Sequence, residues 1–462
     1  MVRFRSMEEL PLETPGWLQR GWLLFCRGLV RAHYRRVEVK GLENLPPRGP
    51  LLVAANHGNG LADPILLQAV SPRPLHPLAR STLFRNPLAW PFLKVIQAVP
   101  IYRRVDAQAQ MDRNADSFRR CYELSDRGGV VLIFPEGVTH HNPKLMPFKA
   151  GAARLILGYR QARGLPLAVV PAGLFYADKG RYRSDVLVSF GTPFYPEQAA
   201  VETEEEAAAR ITADLQRRLE AMVPGADSWE ELALFRRMER LFALRRGRYR
   251  VRSLESRVRK IQALLHTHGL VARHHPERLE AFQGELARFD ELCGLWGVKD
   301  YHLNFEYTPL TVAGFLTRAF FRLTLAVPLA LWGLVNSLAP FVLVRLIAPW
   351  VSRDAYQLDV AKMSLGMFFF GLFWGTQTWW VAQQAGGWPA LGYLLSLPPA
   401  TTLAVFLAGE RRRTWVNIRV FLLFLRKRRL RGYLRTQRDS LEKELGQLTR
   451  LAIRLSAQQR NA

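Results

Sequence analysis

The stretch LLVAANHGNGLADP, residues 51–64, decides the fold of the first part of the chain. It begins with Leu51–Ala55, a continuous apolar run with the length of a buried strand. It ends with Asp63-Pro64, which is typical of a helix start, since Asp caps helices and Pro fits the first helical position. The stretch therefore predicts a strand that passes through a glycine-containing loop into a helix.

Short apolar runs and helical patterns alternate from Leu51 to Pro193. This alternation predicts an α/β domain with a mostly parallel sheet. In such a sheet, ligands bind where the strands end and the loops begin. The predicted strands are Tyr34–Val39, Leu51–Ala55, Ile96–Ile101, Val130–Phe134, Leu167–Gly173 and Asp185–Phe190, and the predicted helices begin at Asp63 or cover Met111–Leu124 and Ala150–Arg163.

His57 and Asp63 are a candidate acid–base pair after the strand Leu51–Ala55. A carboxylate near a histidine can fix the imidazole tautomer, and the free ring nitrogen can then take a proton from a substrate hydroxyl. A single His–Asp pair is also a common structural hydrogen bond. The interpretation therefore depends on the other strand ends.

One of these strand ends carries two neighbouring arginines, and another carries a group of small residues. Residues 99–104, VPIYRR, end in two arginines, and Arg103 can bind a phosphate through its paired N–H groups, with a solvated loop charge as the alternative. Residues 170–173, VPAG, include Pro171, and the small side chains there permit close approach of a ligand or of packed backbone.

A third strand end, residues 133–137 (IFPEG), places Glu136 and Gly137 on a tight turn. Lys149 stands immediately before the predicted helix Ala150–Arg163, and a helix N-terminus favours an anion. A carboxylate and a cation are therefore predicted at the same edge of the sheet as His57.

Together, the four stretches resemble the glycerolipid acyltransferase family, which includes glycerol-3-phosphate and lysophosphatidate acyltransferases. The first block of that family is similar to Asn56-His57 through Asp63-Pro64, the second to Pro100–Arg103, the third to Phe134–Gly137 and the fourth to Val170-Pro171, in the family's order over about residues 35 to 195.

The chain departs from the family pattern at two places. The Asp follows the His by six positions instead of five, and Val138-Thr139 stands where Thr-Arg commonly follows Glu-Gly. The longer loop, and a third block extended through Gly151, resemble the fungal-type branch that acylates glycerol-3-phosphate or dihydroxyacetone phosphate.

The resemblance implies an enzyme that transfers a fatty acyl group from a thioester to a hydroxyl of glycerol-3-phosphate, with lysophosphatidate as the alternative acceptor. It implies that His57 is the base and that Asp63 orients it. No cofactor and no metal is expected, because acyl-CoA or acyl carrier protein would serve as donor substrate. The expected substrate-binding residues are Asn56, Arg103, Glu136, Gly137, Lys149 and Pro171.

The formal net charge of +26, from 65 Lys and Arg against 39 Asp and Glu, predicts an anionic partner. Anionic lipid is favoured over nucleic acid, because much of the positive charge lies beside apolar helical patterns and no nucleic-acid motif is visible. A non-catalytic scaffold on anionic membranes stays open as an alternative of another class.

Five regions are expected along the 462 residues, and helical patterns dominate all of them except the α/β domain. The first, fourth and fifth are expected to contact lipid. They are an interfacial amphipathic helix in 1–34, the α/β acyltransferase domain in 35–225, a helical extension in 226–305, a hydrophobic membrane region in 306–410 and a basic amphipathic helical tail in 411–462.

The membrane region contains three apolar runs. Met363–Val381 and Pro389–Ala408 each approach the roughly 20 residues that a helix needs to cross a bilayer, and they are expected to form a hairpin. Phe321–Trp350 is interpreted as a re-entrant or surface-lying segment broken at Asn336–Pro340. The basic tail then places the catalytic domain in the cytoplasm of an integral membrane protein, with a bacterial inner membrane expected.

Overall fold

The computed structural model describes residues 11–85, 89–103, 112–179, 183–243, 253–304, 309–351 and 355–461. The chain divides into two compact units, Met1–Leu232 with Ser253–Gln262, and Ala233–Arg252 with Ala263–Ala462. Residues 1–10 of the predicted first region, Arg104 of the predicted guanidinium pair, and Met111 lie outside the described residues.

Within the described residues, seven strands of the first unit form one sheet in the order β1-β7-β6-β2-β5-β3-β4. Neighbouring strands are parallel, except that β6 and β7 are antiparallel. The strands are β1 (Arg36–Lys40), β2 (Leu51–Ala55), β3 (Leu75–Arg80), β4 (Val99–Ile101), β5 (Val130–Ile133), β6 (Ala168–Tyr176) and β7 (Asp185–Phe190). The prediction of a mostly parallel α/β domain is confirmed.

Strands β2 and β7 have the predicted bounds, and the other predicted strands are present with shifted ends. Strand β3 was not predicted. The predicted strand Ile96–Ile101 is shorter than expected, because a helix, α3 (Trp90–Val95), and a turn precede β4.

The helices of the first unit cover the central strands, which are buried along their whole length. One core cluster joins the side chains of Leu52, Val131 and Val169 on the sheet to helices α4, α5 and α6. The remaining helices α1 and α2 pack against each other. Their bounds are α1 (Trp17–His33), α2 (Ala62–Val70), α4 (Asn114–Asp126), α5 (Gly151–Arg163) and α6 (Glu204–Glu220).

The rest of the described chain is helical. Helices α7 (Trp229–Ala243), α8 (Leu254–His274), α9 (Pro276–Trp296) and α10 (Asp300–Asn304) lie in the region predicted as a helical extension. The remaining helices are α11 (Pro309–Val351), α12 (Ala355–Ala385), α13 (Gly387–Arg426) and α14 (Arg428–Asn461).

The expected break at Asn336–Pro340 is wrong, because α11 continues through both residues. Pro340 has no N–H to donate to the carbonyl four residues earlier, which belongs to Asn336. The side-chain amide of Gln377 on α12 donates to that carbonyl at 3.1 Å, and the Asn336 side chain accepts from the Tyr393 hydroxyl of α13 at 2.6 Å. Neighbouring helices therefore satisfy the groups that were expected to end the helix.

Two helical stretches of the described residues are long and apolar enough to cross a bilayer, Ala326–Val351 and Gly387–Arg426. The first lies in the run interpreted as re-entrant, and the second contains the predicted span Pro389–Ala408. The other predicted span, Met363–Val381, lies in α12 and is not among them. The predicted boundary between 306–410 and 411–462 falls inside the continuous helix α13.

Candidate active site

The candidate site lies at the carboxyl edge of the parallel strands. Because β2, β4, β5 and β6 run in the same direction, the residues that follow them meet at one edge of the sheet. The structure brings together five of the predicted residues there. His57 is hydrogen-bonded to Asp63 and to Glu136, and Arg103 is hydrogen-bonded to Gly137, which follows Glu136 in the chain.

The imidazole of His57 is bonded to the carboxylate of Asp63, with 3.0 Å between Nδ1 and Oδ2. A carboxylate accepts hydrogen bonds only, so Nδ1 carries the proton and Nε2 is left as the basic nitrogen. The Asp63 side chain is fully buried, whereas 17% of the His57 side chain stays exposed. The ring of His57 stacks on Phe134, with centroids 4.0 Å apart and planes at 21°, which fixes its orientation.

Two further donors hold Asp63. The backbone N–H of Asn59 donates to Oδ2 at 2.8 Å, and the Tyr176 hydroxyl donates to Oδ1. Burial first, and then the charge of Asp63, raise the pKa of Tyr176 well above its ordinary value of 10, so this phenol remains a donor at neutral pH. The helix begins at Ala62, one residue before Asp63, so Asp63 stands in its first turn and not at its cap.

Glu136 is fully buried, and both of its oxygens are occupied by protein groups. Oε1 accepts from the backbone N–H of His57 at 2.7 Å. Oε2 accepts from the backbone N–H of Met146 at 2.8 Å and is bonded to Nε2 of His140. The carboxylate therefore ties the loop after β5 to the backbone of His57.

Gly137 lies next to two of the predicted cations, Arg103 and Lys149. It has a φ of +68°, a conformation that favours glycine, and its N–H closes a tight turn with the Phe134 carbonyl at 2.9 Å. Its own carbonyl accepts from the Arg103 guanidinium at 2.8 Å. The exposed side chain of Lys149 lies so close to Gly137 that an added Cβ would come within 2.9 Å of it.

Asn56 and Pro171 are placed as parts of the sheet. The Asn56 side chain donates to the Leu174 carbonyl at 3.1 Å and accepts from its N–H at 2.7 Å, which extends the pairing of β2 with β6. Pro171 is buried inside β6, beside Ala54 of β2, and its carbonyl accepts from Gly191 at 2.8 Å. Direct substrate binding by these two residues stays a prediction.

A sequence model of the Acyltransferase family matches residues 36–174, the segment that carries this site. Residues 36–174 form an Acyltransferase domain. The segment is similar to glycerol-3-phosphate O-acyltransferase 2 of Saccharomyces cerevisiae, at 28% identity over 134 residues, which are 28% of this chain and 18% of the relative. It is also similar to 1-acyl-sn-glycerol-3-phosphate acyltransferase alpha of Mus musculus, at 31% identity over 150 residues, 32% of this chain and 49% of the relative.

Among solved structures, the 1-acyl-sn-glycerophosphate acyltransferase PlsC from Thermotoga maritima matches with a TM-score of 0.34 and 19% identity, over 44% of this chain and 79% of that chain. This chain spans less than two thirds of the curated relatives that it matches: the alignments cover 18% of the yeast protein and 49% of the mouse protein.

Three residues near the site of the Acyltransferase domain were not predicted as site residues: Tyr176, His140 and Lys179. Tyr176 is separated from Asp63 by 113 positions and lies on β6, which ends three residues later than the sequence predicted. The apolar run Leu174-Phe175-Tyr176 is the signal that could have extended that strand. Glu136, the partner of His140, is only four positions away. Nothing local in the sequence marks the contact of Lys179 with Gly58, which is 121 positions away.

Cysteine chemistry is disfavoured in the first unit. Cys26 and Cys121 are buried, and burial raises the pKa of each thiol to about 12. Because the thiolate is the nucleophile, neither side chain is reactive at neutral pH. Among the residues that the structure describes, no three His, Cys, Asp or Glu side chains are grouped so that they could hold a metal.

Proposed function

We propose that this protein is an O-acyltransferase that moves a fatty acyl group from a thioester to a hydroxyl of glycerol-3-phosphate. The observation that carries the proposal is the His57–Asp63 pair at the carboxyl edge of the sheet, with 3.0 Å between the imidazole and the carboxylate. The names of the yeast and mouse relatives support this class of reaction.

In the proposed reaction, Nε2 of His57 takes the proton of the acceptor hydroxyl as its oxygen attacks the thioester carbonyl. The new C–O bond forms, the C–S bond breaks, and the imidazolium returns the proton to the departing thiolate. Asp63 stabilises the imidazolium in between and keeps the tautomer. No acyl-enzyme is formed, because the acceptor is itself the nucleophile.

Arg103 and Lys149 are the proposed contacts for the acceptor phosphate, since both approach Gly137 beside the loop of His57. The hydrogen bonds of the two Glu136 oxygens to protein groups support a part in positioning the loops. Its contact with the acceptor hydroxyls stays a prediction. Lysophosphatidate is the alternative acceptor, and acyl-CoA or acyl carrier protein is the proposed donor.

The proposed location is a membrane, with anionic lipid as partner. Two helical stretches have the length and composition for crossing a bilayer. In the first unit, α1 exposes Trp17, Leu18, Leu24 and Phe25, which gives it the apolar side of an interfacial helix. The acyl donor and the product would both reside at such a surface. A cytoplasmic orientation and a bacterial inner membrane remain part of this proposal.

Replacement of His57 by Ala tests the base. We expect acyl transfer to fall by about 10²- to 10⁴-fold, the usual effect of losing a general base, while membrane association is retained. His266→Ala, at an exposed histidine of α8, is the matched control and should keep full activity. A His57→Ala protein that retains more than about a hundredth of the wild-type rate would contradict the assignment.

Incubating the purified protein with labelled acyl donor and each acceptor separately identifies the acceptor. Turnover of glycerol-3-phosphate alone supports the proposal, and turnover of lysophosphatidate alone replaces the acceptor. Binding to anionic vesicles without turnover of either acceptor would favour the non-catalytic scaffold.

A further inference from the structure

Helix α1 has two apolar sides, and only one of them packs on the domain. Cys26 and Val30 are buried on the side that faces α2. The other side is exposed, and it consists of apolar residues and glycines that recur at helical spacing: Trp17, Leu18, Gly21, Leu24, Phe25 and Gly28. Packing within the described domain therefore accounts for only half of the apolar pattern of this helix.

Three arginines border the exposed apolar side of α1 along one flank. At 3.6 residues per turn, Arg20, Arg27 and Arg31 fall within about 40° of one another around the helix axis. Arg20 and Arg27 donate to the backbone carbonyls of Pro15 and Ala69, and among the residues that the structure describes no carboxylate pairs with the three arginines. Helix α1 also contains no Asp or Glu. Its exposed side is therefore complementary to an apolar body with anionic groups at its surface.

Helix α3 extends the apolar side on the flank away from the arginines. Trp22 connects the two helices, since its ring centroid lies 5.5 Å from that of Phe25 and 5.6 Å from that of Phe92. Trp90 and Phe92 are exposed, and the Lys94 ammonium lies over the Trp90 ring, 5.1 Å from its centroid. Exposed tryptophans beside cations are typical of proteins at the boundary between lipid and water.

Helix α1 also connects this surface to the proposed catalytic pair. It packs on α2, whose first turn holds Asp63. Immediately after α1, the buried ring of Tyr34 lies 6.1 Å from that of Tyr176, and the Tyr176 hydroxyl donates to Asp63. A partner that binds the exposed side of α1 is therefore held in a fixed position relative to His57.

We propose that α1 and α3 together form a docking surface for a lipid bilayer with anionic headgroups. The aromatic and leucine side chains enter the boundary between headgroups and acyl chains, and the arginines contact the headgroup phosphates. Arginines along α1 oppose a crossing of the bilayer, so the helix lies in its surface. The inference deepens the proposed membrane location, because it adds α3 and gives the acyltransferase domain a lipid contact of its own.

The test places a nitroxide spin label on single introduced cysteines of the full chain in nanodiscs of phosphatidylethanolamine and phosphatidylglycerol. The three native cysteines are buried and their thiol pKa is raised to about 12, so they stay unlabelled at neutral pH. Leu24→Cys and Phe92→Cys probe the docking surface, at side chains that are 65% and 41% exposed. Leu165→Cys is the matched control, because Leu165 is 39% exposed and precedes β6, at the opposite edge of the sheet.

Power saturation then compares the access of oxygen, which concentrates among acyl chains, with that of a water-soluble nickel chelate. We expect the oxygen-to-nickel ratio at Leu24→Cys and at Phe92→Cys to exceed that at Leu165→Cys severalfold. Arg31→Gln should shift the equilibrium at Leu24→Cys toward water by about fivefold, the usual contribution of one cation near an anionic surface. Arg127→Gln, at an exposed cation outside the docking surface, should not change it.

Ratios at Leu24→Cys and Phe92→Cys equal to that at Leu165→Cys would overturn the proposal, and so would immersion of α1 alone. Low access of both reagents would indicate a protein partner and would also contradict it. Val335→Cys, in the apolar stretch Ala326–Val351, reports bilayer crossing separately. Immersion there with water at Leu24 and Phe92 contradicts only the docking surface, and an absence of acyl transfer contradicts only the proposed reaction.

Discussion

Two segments at the same edge of the sheet, the first turn of α2 and the loop after β5, each hold a fully buried carboxylate. The two carboxylates contact different parts of His57. Asp63, after β2, is bonded to the imidazole. Glu136, after β5, is bonded to the backbone N–H of the same residue. In the proposed reaction, the first would stabilise the charge that develops on the ring during proton transfer, whereas the second holds the peptide that carries the ring.

The difference shows that burial and residue type do not decide the role of a carboxylate in this site. Asp63 has the proposed base as one of its three partners, so in the proposed reaction its charge would lower the barrier. The hydrogen-bond partners of Glu136 are a loop histidine and backbone N–H groups, so we expect its charge to act mainly on the stability of the fold. Amide substitutions at the two positions should therefore give opposite results.

Asp63→Asn should produce the largest loss of activity. The amide can keep its oxygen toward His57 and the Asn59 N–H, with its NH₂ toward the Tyr176 hydroxyl, which can accept. The fold is then retained, but the imidazolium loses its counter-charge. We expect kcat to fall by about 10³- to 10⁴-fold, measured as acyl transfer at saturating substrates.

The thermal midpoint of Asp63→Asn should stay within a few degrees of the wild type. Asp214→Asn, on the exposed side of α6, is the control for the chemical change and should leave kcat unaffected. If Asp63→Asn unfolds the domain, or keeps nearly full activity, the expected difference between Asp63 and Glu136 is contradicted.

Glu136→Gln should act mainly on stability. Its oxygen can still accept from the His57 N–H, but its NH₂ group would then face the Met146 N–H, which is left without an acceptor. Leaving one buried N–H unsatisfied costs about 1–3 kcal/mol. We expect the free energy of unfolding to fall by that amount in denaturant titrations, with only a modest loss of kcat in the protein that remains folded.

The exposed carboxylate Glu43 offers the control, since Glu43→Gln should not change the unfolding curve. A Glu136→Gln protein of wild-type stability with a greatly raised KM for glycerol-3-phosphate would instead place Glu136 on the acceptor, as the family resemblance implies.

The sequence predicted the structure correctly where the deciding residues lie within one segment. Strand β2 was predicted with its observed ends because all five of its residues are apolar and buried. Strand β3 was missed because His76 interrupts its apolar pattern. His76 is nevertheless fully buried, bonded through Nε2 to Glu13 at 2.5 Å and through Nδ1 to the Ile96 carbonyl at 3.0 Å. A partner 63 positions away cannot be read from the strand itself.

The same limit applies to the site and to the apolar helices. The pairing of His57 with Asp63 was predicted because only six positions separate them. The hydrogen bond from Tyr176 to Asp63 was not predicted, because Tyr176 lies on a strand that is distant in sequence. The expected break in α11 was wrong for a similar reason: Gln377 of another helix supplies the hydrogen bond that Pro340 cannot. Groups that look unsatisfied in one segment were satisfied by another.

Tyr176→Phe should have the smallest effect on activity, because it removes one of three hydrogen bonds to Asp63 and leaves the bond to His57. We expect kcat to fall by about tenfold, in the range of one hydrogen bond to a charged group, with unchanged KM values. Tyr159→Phe is the matched control, since the buried Tyr159 donates to Asp126 at 3.2 Å on another part of the domain and should leave kcat unchanged.

The pH dependence of stability separates Tyr176 from a residue that only fills space. Its pKa is raised above the ordinary value of 10 in the folded protein, so the folded state binds its proton more tightly than the unfolded state does. The stabilisation is therefore complete below pH 10 and is lost as the pH rises above it. We expect the difference in unfolding free energy between wild type and Tyr176→Phe to be constant from neutral pH to about pH 10 and to shrink at higher pH. A difference that stays constant above pH 10 would show that folding does not raise the pKa of Tyr176.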